Sequence, residues 1–287
     1  MATIPNMSSA RHARAQAATR GDANACTPWY ERRASRIVLF LLVPVVVVVL
    51  WQALVEWDLI ANTIPAPTEV AQTQWHWMFG VPKSSVDVYA GTWWDQLYAS
   101  GERVLLGYLF AALIGIPLGV LIGASRVAYL LIDHIIQALR TVPAPAWVPF
   151  TLAFFGLSTV ATVWLIFLVA FFPIVVNTAS GVHQVPTVFR NAARMLGAPT
   201  MFVWTRVLFP GSLPFIFVGL RLGVGMAWIA VVVSELVGVK SGLGYSLYQA
   251  YQFGRMDVMI ATMVVLGVLG LASDRAVGLL ARWMIRS

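Results

Sequence analysis

From Ile37 to Val55 the only polar side chain is Gln52. A helix needs about 20 apolar residues to cross the ~30 Å hydrocarbon core of a bilayer, and this run supplies them. Similar runs recur at Val104 to Ala124, Tyr129 to Gly156, Val160 to Gly181, Pro214 to Val237 and Val258 to Met284. The fold class predicted is therefore all-α integral membrane, with about six transmembrane helices. Charged residues make up only 11% of the chain, against roughly a quarter in a soluble domain. So little charge cannot coat a water-facing surface, and the exterior must be lipid.

The net charge of +7 sits mostly beside the apolar runs, where it orients a membrane protein, and not in the surface cluster of a nucleic-acid binder. With both termini inside, the inner side carries Arg11, Arg14, Arg20, Arg32, Arg33, Arg36, Arg126, Arg190, Arg194, Arg206, Arg282 and Arg286. The outer side carries Lys83, Arg103, Lys240 and Arg255. This asymmetry predicts a cytoplasmic, mobile tail over 1–36, a first transmembrane helix over 37–56, and an external segment over 57–97. In that segment Pro65 and Pro67 open a Trp-rich interfacial helix, and Thr92-x-x-Asp95 reads as a capping box starting the second span. The remainder, 98–284, is a membrane core interrupted by a cytoplasmic loop over 182–212.

Catalytic equipment is missing from the sequence. Cys26 is the lone cysteine and the four histidines are scattered. No HExxH, GxSxG or GxxxxGK[ST] string occurs, so zinc hydrolysis, serine hydrolysis and nucleotide cleavage lack their usual motifs. Gly238-Val239-Lys240-Ser241 only approximates a phosphate loop. The chain is not expected to be an enzyme or to hold a metal or cofactor.

The informative interruption is the loop between the fourth and fifth spans. Pro186 suits the first turn of a helix, and Gly197 followed by Pro199 ends it, which predicts a short helix lying across the membrane surface. Such a helix is either an unpartnered interfacial element or a contact for another protein. Its residues run Asn191-Ala192-Ala193, three residues, Gly197, nine residues, then Val207-Leu208-Phe209-Pro210. That spacing resembles the EAA loop of binding-protein-dependent ABC importer permeases, with Asn191 in place of the usual Glu and Val207 and Phe209 as apolar replacements.

Further strings are similar to the nitrate, sulfonate and taurine group of these permeases: Ile64-Pro65-Ala66-Pro67-Thr68-Glu69-Val70, Arg103-Val104-Leu105-Leu106-Gly107, Gly115-Ile116-Pro117-Leu118-Gly119, Val142-Pro143-x-Pro145-Ala146-Trp147-Val148-Pro149, Gly219-Leu220-Arg221-Leu222, and Glu235 with Gly242-Leu243-Gly244. The resemblance implies a type I ABC importer transmembrane domain in the bacterial inner membrane. It also implies two ATPase subunits carrying ATP and Mg, a second permease copy forming a homodimer, and a periplasmic solute-binding protein. The Asn191 to Pro210 loop would couple to the ATPase, and the solute would be a small anion or another organic acid. An ATP-independent carrier or channel is the rival reading, and an intramembrane enzyme a third.

Gly107, Ala111, Gly115, Gly119 and Gly123 line one helix face at four-residue spacing, which permits close backbone approach either within the subunit or to a second copy. Pro143, Pro145 and Pro149 prevent a regular helix and, with Arg221 and Glu235, are the candidate gate or pathway residues. Arg221 and Glu235 lie fourteen residues apart on one helix, about 21 Å of rise, so they cannot pair with each other. Arg221 either guides an anion in transit, snorkels to the headgroups, or makes a structural hydrogen bond. Asp133, His134 and Arg140 fall near an inner helix end, and Asp274 and Arg275 are candidate partner contacts.

Overall fold

The structure, a computed structural model, describes residues 33–57, 64–81 and 89–286. The expected tail over 1–36 lies, as far as residue 32, outside the described residues, as do Lys83 and Asp87. The chain divides into two units, Met1–Ala61 and Asn62–Ser287. In the first, helix α1 (Arg33–Glu56) accommodates Pro44 and extends about 36 Å at 1.5 Å per residue. Its polar exception, Gln52, donates to Glu56 one turn on, at 2.7 Å.

The second unit contains α2 (Pro67–Phe79), α3 (Trp93–Ala124), α4 (126–140), α5 (Ala144–Phe155), α6 (Thr159–Gln184), α7 (Thr187–Met195), α8 (Thr200–Glu235), α9 (Leu243–Gln252) and α10 (Met256–Arg286). No strand occurs among the described residues. Four helices there are long and apolar enough to cross a membrane: α3, α6, α8 and α10. The expected span from Tyr129 to Gly156, with its helix-breaking prolines, is two pieces, α4 and α5, separated at Thr141 to Pro143. Pro143 has no N–H to donate and biases Val142 away from the helical region, and Pro145 repeats the obstacle two residues later. Ala146 N then closes a tighter turn onto Pro143 O at 2.9 Å. The fifth span begins earlier than Pro214: α8 starts at Thr200 and passes through a π-helical turn at Trp204–Leu208. Pro210, in the next turn, cannot donate to the Arg206 carbonyl, and such a widened turn absorbs the missing bond.

Helix α6 is the centre of the bundle, packed between α3 and α8. Their shared core comprises Val104 and Ala111 from α3, Leu165, Ile166, Val169, Ala170 and Ile174 from α6, and Val224, Ala227, Trp228, Ala230 and Val231 from α8. The glycine face of α3 is used here, within the subunit. A Cβ on Gly107 would stand 2.6 Å from Ile166 Cγ2, one on Gly119 2.6 Å from Thr178 Cβ, and one on Gly123 2.6 Å from Val182 Cβ. Gly119→Leu is therefore expected to lower the thermal midpoint of the purified protein, at an overpacking cost of about 1–3 kcal/mol. Gly267→Leu on α10, where a Cβ meets nothing within 4 Å, should leave the midpoint unchanged. Equal midpoints for the two variants would refute the close-packing argument.

Helix α2 starts at Pro67, with Glu69 accepting from Ala66 N at 3.2 Å. Its Val70 and Trp77 are buried, and Trp77 joins Tyr89, Leu243, Ala250, Val258 and Val265 in a second small core. Thr92 does sit at the N-cap of α3, but it makes no side-chain cap. Its hydroxyl donates to Tyr89 O at 2.9 Å and accepts from Trp77 Nε1 at 3.2 Å, so Thr92 ties α2 to the start of α3 and the capping-box reading fails.

Candidate functional site

The loop singled out by its spacing is a compact helical turn at one end of the bundle. Pro186 is the N-cap of α7, one residue earlier than its expected place in the first turn. Gly197 ends the helix with φ +78°. Its N–H donates to Arg194 O at 3.0 Å and Ala198 N–H donates to Ala193 O at 3.0 Å, which satisfies carbonyls that a helix end otherwise leaves bare. Ala193 and Val207 are half-buried, packed against a cluster of Val120, Val182, Val203 and Leu208 from α3, α6 and α8. That cluster seats the loop on the spanning helices. Asn191 and Ala192 face outward, and Pro210 lies at the start of the regular α-helical part of α8.

The outer face of this loop is apolar and basic together. Met195 and Leu196 are each 88% exposed, and Val188, Phe189, Met201 and Phe202 are exposed beside them. Arg194 and Arg206 are exposed on the same loop, and no acidic residue occurs between Val185 and Ser234. Val188, Phe189, Met195 and Leu196, exposed outside the long spans, make this loop the candidate contact surface.

The residues expected to form a pathway are not brought into one site. Pro143 lines a cavity of about 290 Å³ at the α4–α5 break, with Arg140 and Thr141 on one side, Pro173 of α6 behind, and Leu222 and Met226 of α8 opposite. Pro145 and Pro149 belong to the helical turns that follow. Arg221, adjacent to Leu222, makes a two-pronged bond to Asp274 of α10, Nε to Oδ1 at 2.8 Å and Nη2 to Oδ2 at 2.7 Å. Its side chain remains 51% exposed. Of the three readings of Arg221, the structural hydrogen bond is present, and Asp274 is its partner.

Glu235 is fully buried at the other end of α8. Arg103 Nη1 donates to it at 2.7 Å, Ser100 Oγ at 2.8 Å and Gly244 N at 2.9 Å. Arg103 also donates to Ser241, through Nη1 to the carbonyl at 2.8 Å and Nη2 to Oγ at 2.6 Å. Leu243 N donates to Ser100 Oγ at 2.8 Å. Gly242, at φ +112°, has no room for a Cβ, which would overlap the Glu235 carboxylate. The network ties α3, α8 and the start of α9 together and pairs a carboxylate that could not stay charged alone in such surroundings.

Arg103 is thus a correction to the count of outer loop cations, because it is an internal residue of α3, 6% exposed. Neither Ser100 nor Arg103 was singled out as Glu235's partner. The one available signal was that a lone Glu at a span's end demands a cation.

A family profile described as "Binding-protein-dependent transport system inner membrane component" matches residues 115–286. The nitrate import permease protein of Leptolyngbya laminosa is 36% identical over 232 residues, covering 81% of this chain and 82% of that protein. The bicarbonate transport system permease protein of Synechococcus elongatus is 38% identical over 199 residues, covering 69% and 71%. Among solved structures, an inward-facing conformation of the MetNI methionine ABC transporter superposes with a TM-score of 0.61 at 23% identity, covering 67% of this chain and 97% of that one. That likeness extends to the fold, a type I importer transmembrane domain. The profile match and the relatives together place this chain in the family of binding-protein-dependent transport system inner membrane components, as a multi-pass ABC permease.

Proposed function

We propose that this permease forms the membrane pathway of an ATP-driven importer for a small monovalent anion of the nitrate or bicarbonate kind. A pair of copies would work with two separate ATPase subunits and an external binding protein. The observation that carries the reading is the α7 loop, whose exposed Val188, Phe189, Met195 and Leu196 are flanked by Arg194 and Arg206. A surface of that kind fits an apolar cleft with an acidic rim on a soluble partner. Since the loop carries cations and the termini carry more, the positive-inside rule puts the loop, Arg33 and Arg286 on the cytoplasmic side. Movement of the ATPases would then be passed through α7 to α6 and α8. The relatives named for nitrate and bicarbonate support an anionic solute.

Arg221 is a positive group on this route, with Arg140 lining the neighbouring cavity. It would exchange Asp274 for the passing anion, with the α4–α5 break alongside. The test is uptake of labelled nitrate and bicarbonate into proteoliposomes holding the permease with its ATPase and binding protein. Uptake should require ATP and should fall further for Arg221→Ala than for Arg221→Lys, which keeps the charge. Uptake without ATP, driven by an anion or proton gradient alone, would favour the carrier reading and overturn this one.

A further inference from the structure

The end of the bundle opposite the α7 loop holds a cavity of about 900 Å³, bounded by the start of α6, the Leu236 to Ser241 turn and α9, with Arg103 at its base. Its chemistry is one-sided. No carboxylate side chain lines it, since Glu235 is sealed behind Arg103. Lys240 is exposed, and no hydrogen bond or ion pair is made by its ammonium among the described residues. Tyr245 Oη accepts from Gln249 Nε2 at 2.9 Å and Tyr248 Oη accepts from Gln252 Nε2 at 2.6 Å. Each phenol therefore has its own proton left to donate. Ser241 Oγ likewise accepts from Arg103 and keeps its proton, and Thr159 is among the residues that line the cavity.

We propose that this cavity is a binding site for a small oxyanion, held by the Lys240 ammonium and the hydroxyls of Ser241, Tyr245 and Tyr248. An ammonium and several O–H donors around a space free of carboxylates recognise negative oxygen and repel cations. Arg103 sits close behind, but its charge is already matched by Glu235, so Lys240 supplies the net attraction. The site deepens the import reading and rests on it for one point, that the bound anion is the one transported. The near-phosphate-loop string Gly238-Val239-Lys240-Ser241 thereby acquires a role in anion capture without any nucleotide.

Binding is tested apart from transport. In the assembled transporter carrying Cys26→Ser, a neutral fluorophore is attached at Leu157→Cys on the cavity rim and quenched at low ionic strength with iodide and, separately, with neutral acrylamide. Iodide should quench more strongly than acrylamide, and sodium nitrate should remove the excess saturably. Lys240→Gln should weaken the nitrate effect at least about tenfold, the loss of one charge-assisted hydrogen bond. Tyr248→Phe should weaken it by a smaller factor, and neither variant should alter acrylamide quenching. Iodide quenching equal to that of acrylamide, or insensitive to nitrate or to Lys240→Gln, would overturn the site. Shielding of the fluorophore only when the binding protein is added would also overturn it, in favour of a protein contact. Saturable nitrate binding in a complex that performs no ATP-driven uptake would leave this site standing while removing the import reading.

Discussion

Arg103→Ala is expected to lose most of the folded protein from the membrane. The substitution leaves Glu235, fully buried, with hydrogen bonds from Ser100 and Gly244 but no cation. Breaking a buried ion pair from one side costs about 3–5 kcal/mol, a large part of the 5–15 kcal/mol by which a typical protein is stable. The loss is not confined to one contact, because Arg103 also holds both the carbonyl and the hydroxyl of Ser241 and so fixes the turn leading into α9. Arg103→Lys should recover only part of the loss, since one ammonium replaces a planar fork that bonds two residues at once. The paired change Arg103→Met with Glu235→Met should recover more than either single change, because it leaves no unpaired charge behind. Membrane abundance and the thermal midpoint in detergent measure all five variants. A wild-type midpoint for Arg103→Ala would show that the network carries no stability.

Gly197→Val is expected to do the reverse, leaving abundance near normal while abolishing transport. At φ +78° a β-branched residue costs about 1–2 kcal/mol, which reduces the population of the native turn by a factor of about 5–30. A Cβ there meets nothing within 4 Å, so the effect is conformational and involves no clash with the spans. The turn positions Met195 and Leu196 on one side and Pro199 at the start of α8 on the other, so the whole surface that the proposed function would offer to an ATPase is re-aimed. Gly197→Asn should be milder, since Asn tolerates the left-handed region. Uptake and stimulated ATP hydrolysis in the assembled complex, each normalised to abundance, are the measurements. Full transport by the Val variant would remove the coupling role of this loop.

What could be read before the structure was local. The stop at Gly197, the break near Pro143 and the start of α3 after Thr92 each depend on backbone limits within a few residues. The glycine face of α3 was legible as a periodicity, though not what it meets. Pairings across the chain were not legible. Glu235 finds Arg103 at a separation of 132 residues and Arg221 finds Asp274 at 53, and no spacing rule reaches that far. Helical rise excluded an Arg221–Glu235 pair but named no alternative. Arg103 was counted with the outer cations because the apolar run begins just after it at Val104, whereas it lies inside α3, which continues beyond it for about six further turns. Thr92 failed as a cap for a related reason, since the indole of Trp77 on another helix takes its hydroxyl.

The glycine contacts also set limits on motion. Where Gly107, Gly119 and Gly123 lie against Ile166, Thr178 and Val182, the two backbones are separated by little more than a side chain's first carbons. A slide of α3 along α6 by less than a full four-residue step would drive those branched side chains into helix backbone, so gradual shear between the two is blocked. With α8 also packed on α6, the three helices are expected to move together. On the proposed function, a push delivered at α7 would reach the far end of the bundle, nearly 40 Å away along α6 at 1.5 Å per residue, as rotation and not as compression. On the same reading, the flexing that opens and closes a pathway would fall to the pieces outside those three helices, with the interrupted α4–α5 segment the first of them.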